Sequence, residues 1–214
     1  YTLWHTLSLH DALPISAIHR LVENLIAAAE VLGESVRPEW IDIRDNLPRA
    51  TICEWKGSAT AVFEYHPNPY RVIGLWEGQV LEESHRHHSH LAGIFPFDVI
   101  DPQDPEWSRI VADTYKQWVF RGMGLWSGWC IPWAAILHSR VGNGRMAEHL
   151  LHLYASAFTN EGYNSVHDAN FAGVSLIGAP PPTGNEPNPA PERMQLDACM
   201  AATTAVQEML LSTV

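Results

Sequence analysis

The sequence predicts a predominantly α-helical fold. Apolar residues recur three and four positions apart in several segments, as on the buried face of an amphipathic helix. Capping residues or prolines stand where these segments begin, and glycines or prolines stand where they end. The later segments follow each other closely along the chain, and short connections make helices antiparallel neighbours. A helical barrel or solenoid therefore fits the pattern better than any sheet architecture.

The first predicted helix begins at Ser16, which is placed to cap it, and stops at Gly33. Its apolar stripe consists of Ile18, Leu21, Val22, Leu25, Ile26 and Ala29. A shorter helix is predicted over 38–47, with a proline in its first turn and another just after its end. Residues 51–75 contain prolines and glycine and are predicted to be loop, with a short hairpin around 61–65.

Four further helices are predicted. Residues 104–106, Asp-Pro-Glu, indicate a helix start by capping, proline placement and first-turn charge. The inner stripe of this helix is predicted to be Trp107, Ile110, Val111, Thr114, Tyr115 and Trp118. Two helices follow at 127–141 and 145–158. The inward residues of the second are predicted to be Met146, Leu150, Leu153 and Tyr154. Residues 178–191 hold six prolines and are predicted to form a long loop before the last helix, 197–211.

Composition limits the classes of partner. The chain has 214 residues, 24 of them acidic and 13 basic, with a formal net charge of -11. This length suits one globular domain or part of one. The negative charge, without any block of Lys or Arg, argues against nucleic acid as a partner. No apolar run reaches the roughly 20 residues that cross a bilayer, so no membrane partner is expected. The three widely spaced cysteines indicate neither a disulfide framework nor a metal knuckle.

The first sixteen residues show no sustained helical or strand period, and residues 6–16 read like the translation of a sequencing adapter. We therefore predict that residues 1–16 are not native and that residues 17–214 form the domain. Because the chain does not begin with Met, we expect the true N-terminus to lie elsewhere, and localisation stays open. The oligomeric state also stays open.

The densest cluster of chemically active side chains is residues 82–90, with four imidazoles, one guanidinium and two carboxylates. Three interpretations are open. His87 and His90, or His85 and His88, are one helical turn apart and could hold a metal ion, although the spacing matches no standard zinc signature. The segment could instead be a solvated polar turn. The interpretation that we favour is a pocket for a ligand rich in hydroxyl groups, with no metal ion and no cofactor.

Aromatic residues favour a sugar as that ligand. Trp126, Trp129 and Trp133 share one face at helical spacing, and the apolar face of a sugar stacks well on an indole ring. A tryptophan stripe is more often core, which is our interpretation of Trp133. Trp126, beside Gly124 and Gly128 near the helix start, is predicted to be an exposed platform.

A carboxylate completes the candidate site. Asp197 follows Gln195 at the end of the proline-rich loop and at the start of the last helix. Two interpretations of Asp197 are open. It is only a helix cap or first-turn acid, or it is a functional carboxylate that the long loop places at the opening of the helical core. Glycoside hydrolysis needs two carboxyl groups, one that protonates the leaving oxygen and one that activates water.

At this point the motifs point to a family. The run His85-Arg86-His87-His88-Ser89-His90-Leu91, followed by Gly93 and Phe95-Pro96, resembles the H-R-H-x-S-H-L segment of glycoside hydrolase family 95. Other pieces agree in order: an A-A-E-x-L-G helix at 28–33, a helix at 40–48 ending in Asn-Leu-Pro, Trp126-Ser127-Gly128-Trp129, and Gln195-Leu196-Asp197. The similarity spans about residues 18–211, and the shared order is more specific than any single motif.

The resemblance implies an all-α fold, an incomplete (α/α)6 barrel of which this chain supplies part of the helices. It implies the activity of α-L-fucosidases and related α-L-galactosidases, which act with inversion. The family's Gln-x-Asp aspartate activates water together with neighbouring asparagines, and Asp197 matches it. The family's acid Glu lies upstream of the 28–33 helix, in chain that this sequence lacks. We therefore expect the isolated chain to be catalytically incomplete.

Two positions depart from the family pattern. The family's His six residues before the aspartate is Pro191 here, and its Gly-Asn-Phe-Gly-Gly run after the aspartate is Ala198-Cys199-Met200-Ala201-Ala202. An imidazole lost from a sugar pocket removes the partner of one hydroxyl group. We therefore keep, as the alternative function, a non-catalytic carbohydrate-binding or structural helical-barrel domain.

The leading prediction is that the chain is part of a glycoside hydrolase. This enzyme is expected to remove a terminal α-L-fucose-like or galacto-configured sugar from an oligosaccharide or glycan substrate. Asp197 is the expected catalytic residue, on the base side of the reaction. The residues expected to bind substrate, by hydrogen bonds to hydroxyl groups or by stacking, are His85, Arg86, His87, His90, Trp126 and Trp129.

Overall fold

The structure, a computed structural model, describes residues 12–57, 69–169, 174–175 and 193–211. These residues form six α-helices, a two-stranded sheet and one short 3₁₀ helix, so the predicted all-α class is confirmed. In chain order the elements are α1 (Ala12–Leu32), α2 (Pro38–Asn46), β1 (Ile52–Trp55), β2 (Tyr70–Ile73), the 3₁₀ helix (Ser89–Leu91), α3 (Ser108–Arg121), α4 (Cys130–Arg140), α5 (Gly144–Ala157) and α6 (Leu196–Leu211).

The chain divides into two compact units. Among the described residues, the first comprises 12–57, 69–81 and 89–120, and the second comprises 82–88, 121–169, 174–175 and 193–211. Most of the histidine cluster therefore belongs to the second unit, together with α4, α5 and α6. His90 belongs to the first unit.

Several predictions concern residues outside the described ones. These are the hairpin at 61–65, the proline-rich loop at 178–191 and most of the segment predicted to be not native, residues 1–11. Within the described part of the chain, no helix is long and apolar enough to span a bilayer.

In the first unit, α1 begins earlier than predicted. Ser16 lies inside the helix, and its hydroxyl donates to the Ala12 carbonyl oxygen 3.0 Å away, so the prediction that Ser16 caps the helix is wrong. A serine hydroxyl can bond the carbonyl four residues back as well as a free amide at a helix start. The predicted stop is confirmed, because Gly33 adopts φ +68°, which suits a residue without a Cβ.

The two strands lie where the sequence predicted loop. β1 pairs antiparallel with β2, with Ile52 opposite Ile73. The sheet has its own small buried cluster of Cys53, Trp55 and Val72. The Ile73 amide donates to Thr114 Oγ1 at 2.9 Å, and this hydrogen bond ties β2 to α3.

α3 begins four residues later than its predicted cap. Asp104 Oδ1 accepts from the Glu106 amide, and the Asp104 carbonyl accepts from the Ser108 amide, both at 2.8 Å. The predicted cap therefore closes a turn that leads into the helix. Burial confirms most of the predicted inner stripe, namely Ile110, Val111, Thr114, Tyr115 and Trp118.

In the second unit, α4 packs against both α5 and α6 and is buried over nearly its whole length. All three helices begin within three residues of their predicted starts. Asn143 caps α5, since its Oδ1 accepts from the Met146 amide at 3.3 Å. Leu150 and Tyr154 are buried as predicted, but Met146 is 37% exposed, so the prediction that it faces inward is wrong.

Candidate active site

The segment Glu82–His88 is fastened to the first turn of α4. Cys130 Sγ donates to the Arg86 carbonyl oxygen at 2.6 Å, and the Cys130 carbonyl oxygen accepts from His88 Nε2 at 3.1 Å. Cys130 is fully buried, and burial raises the pKa of its thiol to about 11. The thiol therefore keeps its proton at neutral pH and remains a donor.

His88 is the buried anchor of this segment. Its ring lies against Trp126 and Trp133, with centroid distances of 4.7 and 5.1 Å. Only 1% of His88 is exposed, and its Nε2 is engaged by Cys130. We therefore interpret His88 as a structural imidazole that holds its neighbours in place.

His85, Arg86 and His87 form the accessible part of the segment. Arg86 is exposed, and the two imidazoles are half-buried. The His87 amide donates to His85 Nδ1 at 3.1 Å, and Arg86 Nε donates to His87 Nε2 at 3.2 Å. The His87 ring lies 6.1 Å from the ring of Trp129, which is also half-buried. Imidazole, guanidinium and indole groups are thus accessible close to one another within the second unit.

The pKa of His87 is lowered to about 4. Burial is the main cause, the charges of His85 and Arg86 add to it, and the charge of Asp197 acts in the opposite direction. His87 is therefore neutral at pH 7, with one ring nitrogen that donates and one that accepts.

Asp197 lies in the first turn of α6 and is exposed. Its Oδ1 accepts from the Ala198 amide at 3.1 Å. Just before α6, Gln195 Oε1 accepts from the Trp129 amide at 2.8 Å. The predicted first-turn position of Asp197 is confirmed. The start of α6, with Asp197, is thereby joined to the turn that precedes α4, with Trp129.

The second unit contains all but one of the predicted site residues. The exception is His90, which belongs to the first unit and is 2% exposed. The prediction of an exposed platform at Trp126 is wrong, because this side chain is 5% exposed. Trp126 precedes α4 and does not lie on it. The helical spacing therefore does not predict on which side the Trp126 ring lies. Trp129 is the more accessible indole, and Trp133, at 3% exposure, is core as predicted.

Sequence reasoning missed the roles of Cys130 and Gln195 and a neighbouring pair, His167 and Asp168. His167 Nδ1 and Asp168 Oδ1 are 2.6 Å apart, and the Gly128 amide donates to the His167 carbonyl oxygen at 2.9 Å. The pair therefore lies beside the turn that precedes α4. The contacts of Cys130 with Arg86, of Gln195 with Trp129 and of His167 with Gly128 join segments far apart in the chain, and no local spacing could signal them.

The metal interpretation of the histidine cluster gains no support. Among the residues that the structure describes, no three His, Cys, Asp or Glu side chains are grouped to hold a metal ion. His88, one of the four imidazoles considered, is committed to the Cys130 carbonyl.

We expect the folded protein to lose stability as the pH falls from about 6.5 towards 4. Burial lowers the pKa of both His87 and His138 from 6.5 to about 4. In this window the unfolded chain binds protons that the folded chain does not, so the free energy of unfolding decreases with falling pH. The measurement is the thermal midpoint at pH 7, 6 and 5.

Substitution of single histidines shows which imidazole contributes to the pH dependence of stability. His138→Gln is expected to flatten the pH dependence, and His149→Gln, at an exposed position on α5, is the matched control substitution. Equal slopes for the wild-type protein and His138→Gln would contradict the burial argument.

Comparison with known proteins gives the class and then the family. A model for a glycosyl hydrolase catalytic domain matches residues 5–210, which is nearly the whole chain, so the class is that of the glycosyl hydrolases. That model is described as the glycosyl hydrolase family 95 catalytic domain, and the chain belongs to this family. The resemblance inferred from the ordered motifs is therefore confirmed, and a mostly helical chain agrees with it.

Two curated relatives are similar to the chain. A protein named alpha-L-fucosidase 2, from Arabidopsis thaliana, is 26% identical over 217 residues, which cover 96% of this chain and 21% of the relative. A protein named probable alpha-fucosidase A, from Aspergillus oryzae, is 28% identical over 150 residues, which cover 64% of this chain and 19% of the relative. The chain thus spans about a fifth of the length of these relatives.

Proposed function

We propose that this chain is part of a glycoside hydrolase that removes a terminal α-L-fucose-like or galacto-configured sugar from an oligosaccharide. One observation carries the proposal. Gln195, two residues before Asp197, accepts a hydrogen bond from the Trp129 amide, and the Trp129 ring lies 6.1 Å from the ring of His87. A proton acceptor, a hydroxyl partner and a stacking surface are therefore available to one ligand.

In this proposal Asp197 is the carboxylate that activates water. Its exposure lets water reach the carboxylate, and its place in the first turn of α6 favours a negative charge there. An inverting reaction requires such a base on one face of the sugar and an acid that protonates the leaving oxygen on the other. The resemblance matches Asp197 to the family's water-activating aspartate. We assign the acid to no residue of this chain.

Sugar hydroxyl groups are proposed to bind His85, Arg86 and His87. The guanidinium group only donates hydrogen bonds. His87 Nε2 already accepts from Arg86 Nε, so a sugar hydroxyl group is proposed to accept from His87 Nδ1. Trp129 is proposed as the stacking surface in preference to Trp126, because more of Trp129 is exposed. His90 is buried, so we do not assign it a direct sugar contact.

The names of both relatives refer to fucosidases, which supports an α-L-fucose-like sugar. The identities of 26% and 28% are low, so a test of substrate must include other configurations. α-L-galactosides are the informative comparison, because L-galactose differs from L-fucose by one added hydroxyl group. A pocket that accepts one of these sugars discriminates against the other only through contacts at that carbon.

The test uses the complete gene product with 4-nitrophenyl glycosides of α-L-fucose, α-L-galactose and, as a control, β-D-glucose. We expect turnover of at least one α-L-configured substrate and none of the control. Proton NMR of the first product is expected to show the β-anomer, since the proposed reaction inverts the anomeric centre. Retention of configuration, or turnover of the β-D-glucoside alone, would contradict the proposal.

A second candidate is a non-catalytic carbohydrate-binding or structural helical-barrel domain. The observation that favours it is that residues 198–202, where the family has a glycine-rich run, are continuous helix in α6 with Ala198 fully buried. Side chains here fill space that glycines would leave open. Glycan binding by the complete gene product without any sugar release would identify this function, and release of free sugar would exclude it.

A further inference from the structure

Gln195 lies where three segments of the second unit meet. Its amide donates to the Ser165 carbonyl oxygen at 2.9 Å, and its own carbonyl accepts from the Ala198 amide at 3.1 Å. Its side-chain oxygen accepts from the Trp129 amide at 2.8 Å. The residue thus starts α6 with its main chain and contacts the start of α4 with its side chain.

The Trp129 amide is a group that needs such a partner. Trp129 is the N-cap of α4, with helical φ and ψ angles of -72° and -24° and no capping hydrogen bond from its own side chain. Amides at the start of a helix have no acceptor within the helix, so an external acceptor is required. Gln195 Oε1 supplies it from the start of a different helix.

The approach of Gln195 also depends on Gly128. A Cβ at this position would lie 3.0 Å from Gln195 Oε1 and would overlap the Val166 carbonyl oxygen. The missing side chain therefore leaves room for both the Gln195 side chain and the Val166 carbonyl oxygen. The contact between Gln195 and the start of α4 therefore requires a glutamine at position 195 and a glycine at position 128.

We propose that Gln195 is a positioning residue, whose hydrogen bond to the Trp129 amide sets the first turn of α6, and hence Asp197, against the face formed by His87 and Trp129. This inference rests on the proposed function. Asp197 is only two residues beyond Gln195, within the same turn, so a shift of Gln195 moves the carboxylate with it. Near-attack geometry is sensitive to such shifts, and a displacement of about 1 Å costs up to roughly 100-fold in rate.

The test compares four variants of the complete gene product with the wild-type protein. Gln195→Met has a similar length but no acceptor, and Gln195→Asn keeps the amide on an arm one methylene shorter. Gln195→Glu keeps an acceptor oxygen at the same reach. Gln207→Met, at an exposed position of α6, is the matched control. Each is measured by steady-state kinetics and by hydrogen exchange of peptides that cover residues 126–134 and 195–200.

Gln195→Met and Gln195→Asn are expected to lower kcat by about 10- to 100-fold with little change in KM, and to speed exchange of the Trp129 amide. Gln195→Glu is expected to keep the Trp129 amide protected and to retain a higher kcat than Gln195→Met. Gln207→Met is expected to match the wild-type protein in both measurements. If Gln195 only stabilised the fold, the substitutions would lower the thermal midpoint but would not lower kcat while leaving KM nearly unchanged.

Hydrogen exchange distinguishes a wrong assignment of Gln195 as a positioning residue from a wrong proposed function. If the wild-type protein releases no sugar, the proposed function is wrong, and exchange at Trp129 still reports the Gln195 bond. Unchanged exchange in both peptides for Gln195→Met and Gln195→Asn would overturn the positioning role. Faster exchange with an unchanged kcat would overturn it as well.

Discussion

Asp197→Asn in the complete gene product is expected to lower kcat by about 10²- to 10⁴-fold, which is the usual contribution of a general acid or base. The amide has nearly the same shape as the carboxylate but cannot take a proton from the attacking water. Binding contacts at the sugar are retained, so KM is expected to change little. The measurement is the rate of free sugar release over a range of substrate concentrations.

Glu161→Gln is the matched control for the loss of one negative charge. Glu161 is an exposed carboxylate in the same unit, in the turn after α5. We expect this variant to keep the wild-type kcat and KM, because surface substitutions away from a site have small effects. If Asp197→Asn turned over substrate as fast as Glu161→Gln, Asp197 would not be the base.

Gly128→Ala is expected to destabilise the protein by about 2 to 3 kcal/mol, which is typical of added volume in a tightly packed position. The new Cβ would overlap the Val166 carbonyl oxygen, and a backbone atom cannot move aside as a flexible side chain can. It would also crowd Gln195 Oε1 and weaken its bond to the Trp129 amide. The thermal midpoint and kcat are therefore both expected to fall.

Gly124→Ala provides the comparison for this prediction. A Cβ at Gly124 would meet no atom within 4 Å, so its effect on stability is expected to stay within about 0.5 kcal/mol. Both glycines precede α4 and differ mainly in the space around them. Coincident unfolding transitions for Gly128→Ala and Gly124→Ala would refute the close contact.

Local signals predicted the helices well, because a helix is specified by its own sequence. Pro38 begins α2, and Gly33 ends α1, as their backbone preferences require. The sheet could not be predicted in this way. β1 and β2 have only four residues each, and each pairs with the other across an intervening segment that contains proline and glycine residues. Ser16 failed as a cap signal because its hydroxyl bonds within the helix.

The composition of the candidate site could be predicted, but the arrangement of its members could not. The residue types and the family resemblance pointed to His87, Trp129 and Asp197. Which side chains face outward depends on packing, and Trp126 and His90 proved to be buried. The link between the start of α6, with Asp197, and Trp129 depends on how α6 packs against α4, which no spacing in the sequence encodes.

The most direct measurement is a crystal structure of the complete gene product, carrying Asp197→Asn, with an intact fucosylated oligosaccharide bound. The sugar is predicted to stack on Trp129, to form a hydrogen bond with His87, and to hold a water molecule between its anomeric carbon and the side chain at position 197. An oligosaccharide bound out of reach of these three side chains would contradict the proposed active site.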